Sequence, residues 1–213
     1  MSFVELFRKE YYRKLLSPHG SNPIRNRADP FLKVFELLED RKLSGQDYFH
    51  IVETGTSRLD HGYMCFGDDG CATHIFDKFV NFYDGEVLSV DIKQENCDFS
   101  NSITSPKTRV TCSDSVKFLW SLPENYKIDF LYLDSYDIER ENPHPSQLHH
   151  VKELCAAMKN LKKDTIIVVD DHDGFFTGGK IGKGTYVKQF MSDIDAELLF
   201  EGYQIGWILG EGK

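Results

Sequence analysis

The stretch HIVETGTS (residues 50–57) begins the part of the chain that decides the fold. It is a short apolar run that ends in Glu53 and leads directly into a turn of small residues. Four later runs share this form, and each ends in an acid: VLSVD (87–91), RVTCSD (109–114), FLYLD (130–134) and TIIVVDD (165–171). Short runs rich in β-branched and aromatic residues, bounded by turn residues, predict buried strands.

Helical patterns separate these runs. They cover CATHIFDKFVNFY (71–83), a short segment after Asp91, SVKFLWSL (115–122), SQLHHVKELCAAMKNL (146–161) and YVKQFMSDI (186–194). Strands that alternate with helices predict an α/β fold with a parallel sheet covered on both faces. The last segment, LLFEGYQIGWILG (198–210), predicts two strands that turn at Glu201–Gly202 and are therefore antiparallel.

The N-terminal part has a different pattern. Residues 3–16 predict an amphipathic helix, and residues 17–30 predict a loop because they are rich in proline, glycine and asparagine. A second helix is expected from Asp29 as N-cap, with Pro30 in its first turn, to Lys42. We predict an N-terminal helical extension (1–45) and one globular unit (46–213). The extension could form contacts between copies of the chain or cover the site, and the sequence leaves both open.

Composition narrows the class of protein. The 213 residues include 25 Lys and Arg against 34 Asp and Glu, so the net charge is −9. Such a balance argues against nucleic acid or an anionic membrane as partner. The chain has no apolar run long enough to span a membrane, and its N-terminus lacks the pattern of a secretory signal. Its five cysteines form no CxxC pair, so free thiols and a cytoplasmic location are expected, with Cys65 and Cys71 structural and not zinc ligands.

The acids at the strand ends are the main functional signal. The carboxyl ends of parallel strands lie at one edge of a sheet, which is where ligands bind in open α/β folds. Carboxylates that are close together repel each other unless a cation or hydroxyl groups bind them. We therefore expect a site for cations or sugar hydroxyls at this edge, formed by Glu53, Asp91, Asp114, Asp134, Asp170 and Asp171.

With these motifs in order, residues 50–210 resemble the class I S-adenosylmethionine-dependent methyltransferases. VETGTS resembles the turn under the methionine end of the cofactor, and VLSVD resembles the motif whose acid, here Asp91, binds the ribose. TCSDSVKFL resembles the motif that places an acid, here Asp114, beside the adenine, and FLYLDSYD resembles the motif beside the reacting methyl group. The resemblance implies a Rossmann-like, doubly wound, seven-stranded sheet, mostly parallel with an antiparallel C-terminal hairpin.

One position departs from the family pattern. Where a further glycine is usual, this chain has Ser57-Arg58-Leu59, and the glycines of FGDDGC (66–71) are expected to allow the close approach. The resemblance implies a cofactor site made of Glu53, Thr54, Gly55, Thr56, Ser57, Asp69, Gly70, Asp91, Ile92, Ser113, Asp114, Ser115 and Asp134.

The acids after the fourth and fifth runs are similar to those of metal-dependent O-methyltransferases, of the catechol type and of the antibiotic-sugar type related to macrocin and aminocoumarin enzymes. That resemblance implies that Asp134, Asp170 and Asp171 hold Mg²⁺ or another divalent cation. Asp137 and His172 are candidate catalytic bases beside Asp134, although a helix N-cap and a loop histidine are the alternatives.

The resulting hypothesis is an S-adenosylmethionine-dependent, Mg-assisted O-methyltransferase that acts on a small hydroxylated acceptor, with a sugar or glycan as first choice. One alternative is a metal enzyme that resembles cephalosporin hydroxylases. Another is a non-catalytic cofactor-binding or assembly domain, with a homo-oligomer formed through the N-terminal helices.

Two further features receive other interpretations. GGKIGKGT (178–185) does not match a phosphate-binding loop because Gly184 follows Lys183, so we interpret it as a mobile lid with Lys180 and Lys183 solvated. Three histidines, His144, His149 and His150, are expected at a solvated helix start.

Overall fold

The computed structural model describes residues 1–16, 26–59, 64, 66–139, 141–172 and 181–210. One sheet of seven strands organises this part of the chain, in the order β3-β2-β1-β4-β5-β7-β6. Its strands are β1 (Phe49–Thr54), β2 (Gly85–Asp91), β3 (Thr108–Cys112), β4 (Phe130–Leu133), β5 (Ile166–Val169), β6 (Glu197–Glu201) and β7 (Ile205–Ile208). Strands β1 to β5 pair in parallel, and β7 is antiparallel to both β5 and β6. The predicted mostly parallel sheet with an antiparallel C-terminal hairpin is confirmed.

Helices cover both faces of the sheet. The described ones are α1 (Phe3–Glu10), α2 (Tyr12–Leu15), α3 (Ala28–Leu43), α4 (Ala72–Tyr83), α5 (Gln94–Ile103), α6 (Ser115–Ser121), α7 (His144–Ala157) and α8 (Thr185–Asp193). A short 3₁₀ turn, Met158–Asn160, follows α7. None of the described helices is both long and apolar enough to cross a membrane.

Alternate residues of each central strand face opposite cores, as the two-residue period of a strand requires. In β4, Phe130 and Tyr132 belong to one core, while Leu131 and Leu133 belong to the other. The first core is rich in aromatic side chains from α1, α3 and α4, including Phe3, Phe7, Phe31, Phe35, Phe76 and Phe79, all fully buried. Each such side chain contributes about 1.5–3 kcal/mol to folding. The N-terminal helices α1 and α3 therefore share a core with the sheet.

The start of α3 differs from the prediction. The helix begins at Ala28, and its cap is supplied by Asn26, whose Oδ1 accepts the backbone N–H groups of Ala28 and Asp29. Asp29 lies inside the first turn, so it is not the N-cap, and its carboxylate instead accepts from the Asn26 side chain at 2.7 Å. This arrangement places Arg27 at the sheet edge, where it is buried.

Several predictions fall on residues outside the described ranges. They concern most of the loop 17–30, Cys65, Lys180 and the first residues of the glycine-rich segment 178–185. Among the described cysteines, Cys97, Cys112 and Cys155 are free thiols, as expected.

Candidate active site at the carboxyl edge of the sheet

Two adjoining cavities lie at the carboxyl edge of the sheet, where β1 stands between β2 and β4 and the strand order changes direction. The larger one has a volume of about 280 Å³, and its walls include Glu53, Asp91, Asp134 and Asp171. The smaller one, of about 90 Å³, is lined by Ile92, Ser113, Asp114 and Ser115 among others. Both cavities share Gly55, Asp91 and Ser135 as lining residues, so together they form one groove across the strand ends.

The turn after β1 requires glycine at position 55. Gly55 has φ of +78°, and a Cβ there would lie 2.5 Å from the carbonyl oxygen of Asp134. The next two residues are buried and held by hydroxyl groups: Thr56 Oγ1 contacts Ser100 Oγ at 2.8 Å, and the Ser57 N–H donates to Thr73 Oγ1 at 2.8 Å. This fixed turn forms the floor of the larger cavity.

Glu53 is a buried acid at the end of β1. Its side chain accepts a hydrogen bond of 2.6 Å from Ser89 Oγ. Burial raises the pKa of Glu53 to about 8, although the hydroxyls of Ser89 and Thr73 oppose the shift. Glu53 is therefore largely protonated at neutral pH, and a positively charged ligand beside it would favour its ionised form.

Asp91 ends β2 and lines both cavities. Its carboxylate accepts from the backbone N–H groups of Thr56 (3.3 Å) and Lys93 (2.7 Å) and from the amide of Asn96 (3.2 Å). These three partners are neutral donors, and Asp91 lies where the two cavities adjoin. The geometry suits a carboxylate that binds a pair of hydroxyls.

Asp114 has two roles in the structure. It lines the smaller cavity, and its side chain caps α6 by accepting the N–H of Lys117 at 2.9 Å. The other predicted residues of this region, Ile92, Ser113 and Ser115, also line the smaller cavity. Ile92 is largely exposed, as a residue that packs on a flat ligand would be before that ligand binds.

The expectation for the histidines is wrong at two positions. His150 is fully buried, and burial lowers its pKa to about 4. His149 lines the smaller cavity, where its Nε2 lies 2.9 Å from Ser115 Oγ and its ring lies 5.3 Å from the ring of Tyr136. Helix α7 begins at His144, two residues earlier than predicted, and His150 lies on its buried face.

The second group of acids lies at the other end of the larger cavity. Asp134 follows β4, and Asp170 and Asp171 follow β5, with one oxygen of each within 4.8 Å of the others. We call these three residues the acid cluster. Asp170 is fully buried, whereas Asp134 and Asp171 are partly exposed to the cavity.

Two buried cations neutralise most of the acid cluster. Arg27 Nε donates to Asp170 Oδ2 at 2.8 Å. The Arg27 guanidinium also donates to the hydroxyl of Tyr203 at 3.2 Å and lies over the Tyr203 ring, 4.8 Å from its centroid. Lys183 Nζ lies 2.6 Å from Asp134 Oδ1 and 3.0 Å from Asp171 Oδ2. The expectation that Lys183 is solvated is wrong, because its side chain is 1% exposed.

These charges shift the pKa values in opposite directions. Burial, together with Asp170 and Asp171, raises the pKa of Asp134 despite the nearby ammonium of Lys183. Burial alone would also raise the pKa of Asp171, but Lys183 and Arg27 hold it below the usual range. The acids keep the pKa of Lys183 well above its ordinary value although burial opposes this. If all three acids are ionised, the two cations leave one negative charge for a further cation to balance.

The acid cluster fits a divalent metal ion. Three carboxylates supply the hard oxygen ligands that Mg²⁺ prefers. In the described part of the chain, Asp170 Oδ1 is buried and lacks a hydrogen-bond partner, which is costly unless a further ligand binds it.

The two candidate bases have different surroundings. Asp137 lines the larger cavity and lies 3.6 Å from Arg58 Nη1, and residues 136–139 form no helix that it could cap. His172 is not among the described residues that line the cavities. Its Nε2 lies 3.3 Å from Glu201 Oε1, on the side of the antiparallel hairpin. The structure thus brings Asp137, and not His172, to the described wall of the groove.

Two predicted cofactor residues also lie off the described walls of the groove. Thr54 is fully buried within β1. Gly70 has φ of +84°, and a Cβ there would lie 2.9 Å from Arg27 Cδ. Gly70 therefore makes room for Arg27, whereas its neighbour Asp69 lines the larger cavity as expected.

The sequence reasoning missed Arg27, Lys183, Tyr203 and His149. Arg27 and Lys183 lie in segments without hydrophobic periodicity, so pattern analysis gave them no position. Charge balance was the signal that could have indicated Arg27 and Lys183, because three acids predicted to lie close together require cations beside them.

Comparisons with known proteins can now be set against this geometry. No protein-family model and no curated protein sequence matches the chain. Solved structures do match the chain. One is MycE methyltransferase from the mycinamycin biosynthetic pathway, in complex with Mg and SAH, which matches with a TM-score of 0.62 and 14% sequence identity. The chain has the fold of the class I S-adenosylmethionine-dependent methyltransferases.

The match to MycE covers 100% of this chain but 55% of the MycE chain, so this chain spans about half of that protein. The apo structure of CalS11, a TDP-rhamnose 3′-O-methyltransferase of calicheamicin biosynthesis, matches with a TM-score of 0.55 and 13% identity over 94% of this chain and 92% of that chain. A putative rRNA methylase from Clostridium thermocellum matches with a TM-score of 0.50 and 12% identity, over 76% of this chain and 88% of that chain. The TM-scores show a shared methyltransferase fold, and the names of these neighbours indicate different acceptors.

Proposed function

We propose that this chain is an S-adenosylmethionine-dependent O-methyltransferase that acts on a hydroxyl of a small acceptor, with a sugar or glycan as first choice, and that a divalent cation assists it. One observation carries the proposal. A single groove joins a carboxylate suited to a diol, Asp91, to a cluster of three acids suited to a metal.

The smaller cavity would hold the adenine of the cofactor. Ile92 and Tyr136 offer apolar surface there, and Asp114 and His149 offer polar atoms at its wall. Asp91 would bind the ribose hydroxyls because its present partners are neutral donors that leave its charge available. The methionine end would then lie over the turn at Gly55, beside Glu53, whose ionised form a cationic ligand would stabilise.

In the transfer step, a lone pair of the acceptor oxygen attacks the methyl carbon of the sulfonium. The carbon–oxygen bond forms as the carbon–sulfur bond breaks, and sulfur keeps the electron pair, which gives S-adenosylhomocysteine. The hydroxyl proton passes to the carboxylate of Asp137, which lines the cavity. Alignment of the oxygen, carbon and sulfur atoms would provide much of the rate.

Asp134, Asp170 and Asp171 would hold the divalent cation. A metal ion at this place supplies Lewis-acid chemistry, since it lowers the pKa of a hydroxyl and orients it. The structure of MycE, which contains Mg, supports the metal by similarity of fold. CalS11, a TDP-rhamnose 3′-O-methyltransferase, supports the choice of a sugar acceptor in the same way.

The test is transfer of a radiolabelled methyl group from S-adenosylmethionine to a panel of free sugars, nucleotide sugars and glycosides, with added Mg²⁺ or with EDTA. We expect label in a hydroxylated acceptor and its loss with EDTA. Cofactor binding without transfer to any acceptor would favour a non-catalytic domain, and oxygen consumption without transfer would favour a hydroxylase.

A further inference from the structure

Lys183 is the buried cation whose position bears most directly on metal binding. Its ammonium contacts two members of the acid cluster, at 2.6 Å from Asp134 Oδ1 and 3.0 Å from Asp171 Oδ2. A divalent ion bound by the acid cluster would need the same two carboxylates. Two positive groups that share one buried site repel each other strongly, because the low dielectric constant there screens their charges poorly.

The backbone around Lys183 is fixed by close packing. A Cβ at Gly182 would lie 1.6 Å from the carbonyl oxygen of His172, and a Cβ at Gly184 would lie 2.7 Å from Ile205 Cγ2. The Lys183 N–H also donates to the carbonyl oxygen of Asp171 at 3.0 Å. The described part of the glycine-rich segment, residues 181–185, therefore holds Lys183 in place, and the movable part is its flexible side chain.

Arg27 does not compete with a metal in the same way. Its guanidinium binds Asp170 Oδ2, the carbonyl oxygen of Asp68 and the hydroxyl of Tyr203, which fixes it firmly. The other oxygen of Asp170 is the buried one that lacks a hydrogen-bond partner in the described part of the chain. Arg27 and a metal can thus use different oxygens of Asp170. Lys183, in contrast, contacts the carboxylates of Asp134 and Asp171, the other two members of the acid cluster.

We propose that Lys183 is a tethered cation that competes with a divalent metal ion for Asp134 and Asp171, so that the metal binds when the lysine side chain turns away. The inference rests on the proposed function for its metal site, and it adds a residue that sets the affinity of that site. Without metal, Lys183 holds the acid cluster together. With metal, its ammonium is released toward the cavity.

The experiment is titration of the cofactor-free protein with Mn²⁺, with free Mn²⁺ measured by electron paramagnetic resonance. We compare the wild type with Lys183→Met, Lys183→Gln and Lys183→Arg, and with Lys188→Met as the matched control. Lys188 lies on α8 and pairs with Glu201 at the surface. We expect the two neutral variants to bind Mn²⁺ at least about tenfold more tightly, because they remove a positive charge that contacts two of the ligand carboxylates. Lys188→Met should bind like the wild type, and Lys183→Arg, which keeps the positive charge, should not show the gain of the neutral variants.

Equal or weaker Mn²⁺ binding by both neutral variants would overturn the proposal. If neither variant folds, wild-type crystals soaked in Mn²⁺ decide the question. Metal on the acid cluster with Lys183 turned away supports competition. Metal with Lys183 still on Asp134 and Asp171, or no metal at saturating concentration, contradicts it. Calorimetry with S-adenosylmethionine on the same samples separates the two proposals, because failure to bind the cofactor refutes the methyltransferase assignment without altering the Mn²⁺ comparison.

Discussion

The two ends of the groove carry the same kind of residue in different surroundings. At the end proposed for the cofactor, which we call the cofactor end, Glu53, Asp91 and Asp114 are satisfied by hydroxyls, backbone N–H groups and an amide. At the end proposed for the metal, which we call the metal end, the acid cluster is held by Arg27 and Lys183. An acid at a strand end therefore does not define its own chemistry. The partners supplied by other parts of the chain decide whether it remains available to a neutral diol or forms part of a charge network.

Spacing explains the difference. The acids at the cofactor end are separated along the groove, so neutral donors are enough to satisfy them. The three acids at the metal end have oxygens within 4.8 Å of one another, and such a group is stable only with cations beside it. The following predictions test whether the two ends behave as differently as their partners indicate.

The largest effect is expected from the loss of Arg27. Arg27→Ala leaves the fully buried carboxylate of Asp170 without its cation, which we expect to lower the free energy of unfolding by about 3–5 kcal/mol. The matched control is Arg8→Ala, because Arg8 forms an exposed ion pair with Glu36 at 2.9 Å. That change should cost less than about 1 kcal/mol. Urea denaturation followed by circular dichroism measures both, and similar losses for the two variants would contradict the account.

Asp134→Asn should separate catalysis from cofactor binding. We expect methyl transfer to fall about 10²–10³-fold, the size typical for loss of one preorganised electrostatic group. Affinity for S-adenosylmethionine should stay nearly unchanged, because the cofactor is bound mainly at the other end of the groove. Asp84→Asn, at an exposed acid paired with Lys107, is the control for transfer rates. Equal loss of transfer and of binding would contradict the metal role of Asp134.

Asp91→Asn should show the opposite pattern. Loss of a charged hydrogen-bond acceptor for a diol is worth about 1.5–3 kcal/mol, so we expect affinity for S-adenosylmethionine to fall about 10–100-fold. Binding of Mn²⁺ to the acid cluster should not change. Asp98→Asn on α5 is the control, since Asp98 lies at the surface and accepts from Gln94. Calorimetry on the wild type and the two variants measures the affinity for S-adenosylmethionine. Wild-type affinity in Asp91→Asn would refute the ribose assignment.

The smallest effect concerns a proton. Burial raises the pKa of Glu53 to about 8, so the free protein carries this proton at pH 7. A positively charged cofactor beside Glu53 would lower that pKa, and binding would release up to about one proton. Affinity should therefore rise as pH increases toward 8 and level off above it. Calorimetry in buffers of different ionisation enthalpy measures the release, which Glu53→Gln should abolish; proton uptake in the wild type would exclude this role.

Sequence patterns anticipated one of these ends better than the other. The strands and their terminal acids have strong local signals, so β1 to β5, the C-terminal hairpin and the acid cluster were all expected. Arg27 reaches Asp170 across 143 residues, and Lys183 reaches Asp134 across 49, and no local pattern reports such contacts. Asp29 was expected to cap α3 because Asp is a good N-cap, but Arg27 stands at the N-cap position and the Asn26 side chain accepts the first N–H groups of the helix.

Glycines lie beside both of the buried cations that the sequence patterns did not predict. Gly70 leaves room for the Arg27 side chain, and Gly182 and Gly184 hold the backbone of Lys183 against His172 and Ile205. In the sequence they indicated a close approach and a lid, because a glycine shows that space is limited without showing what fills it. The helical histidines were misassigned for a related reason, since the sequence alone did not show which face of α7 packs against the rest of the molecule.

A crystal structure of the complex with S-adenosylhomocysteine tests the central claim most directly. The account predicts adenine in the smaller cavity beside Ile92 and Asp114, ribose hydroxyls on Asp91, and the sulfur atom facing the acid cluster. A product bound elsewhere, or bound with its sulfur turned away from Asp134, would contradict the claim that this groove is a methyl-transfer site.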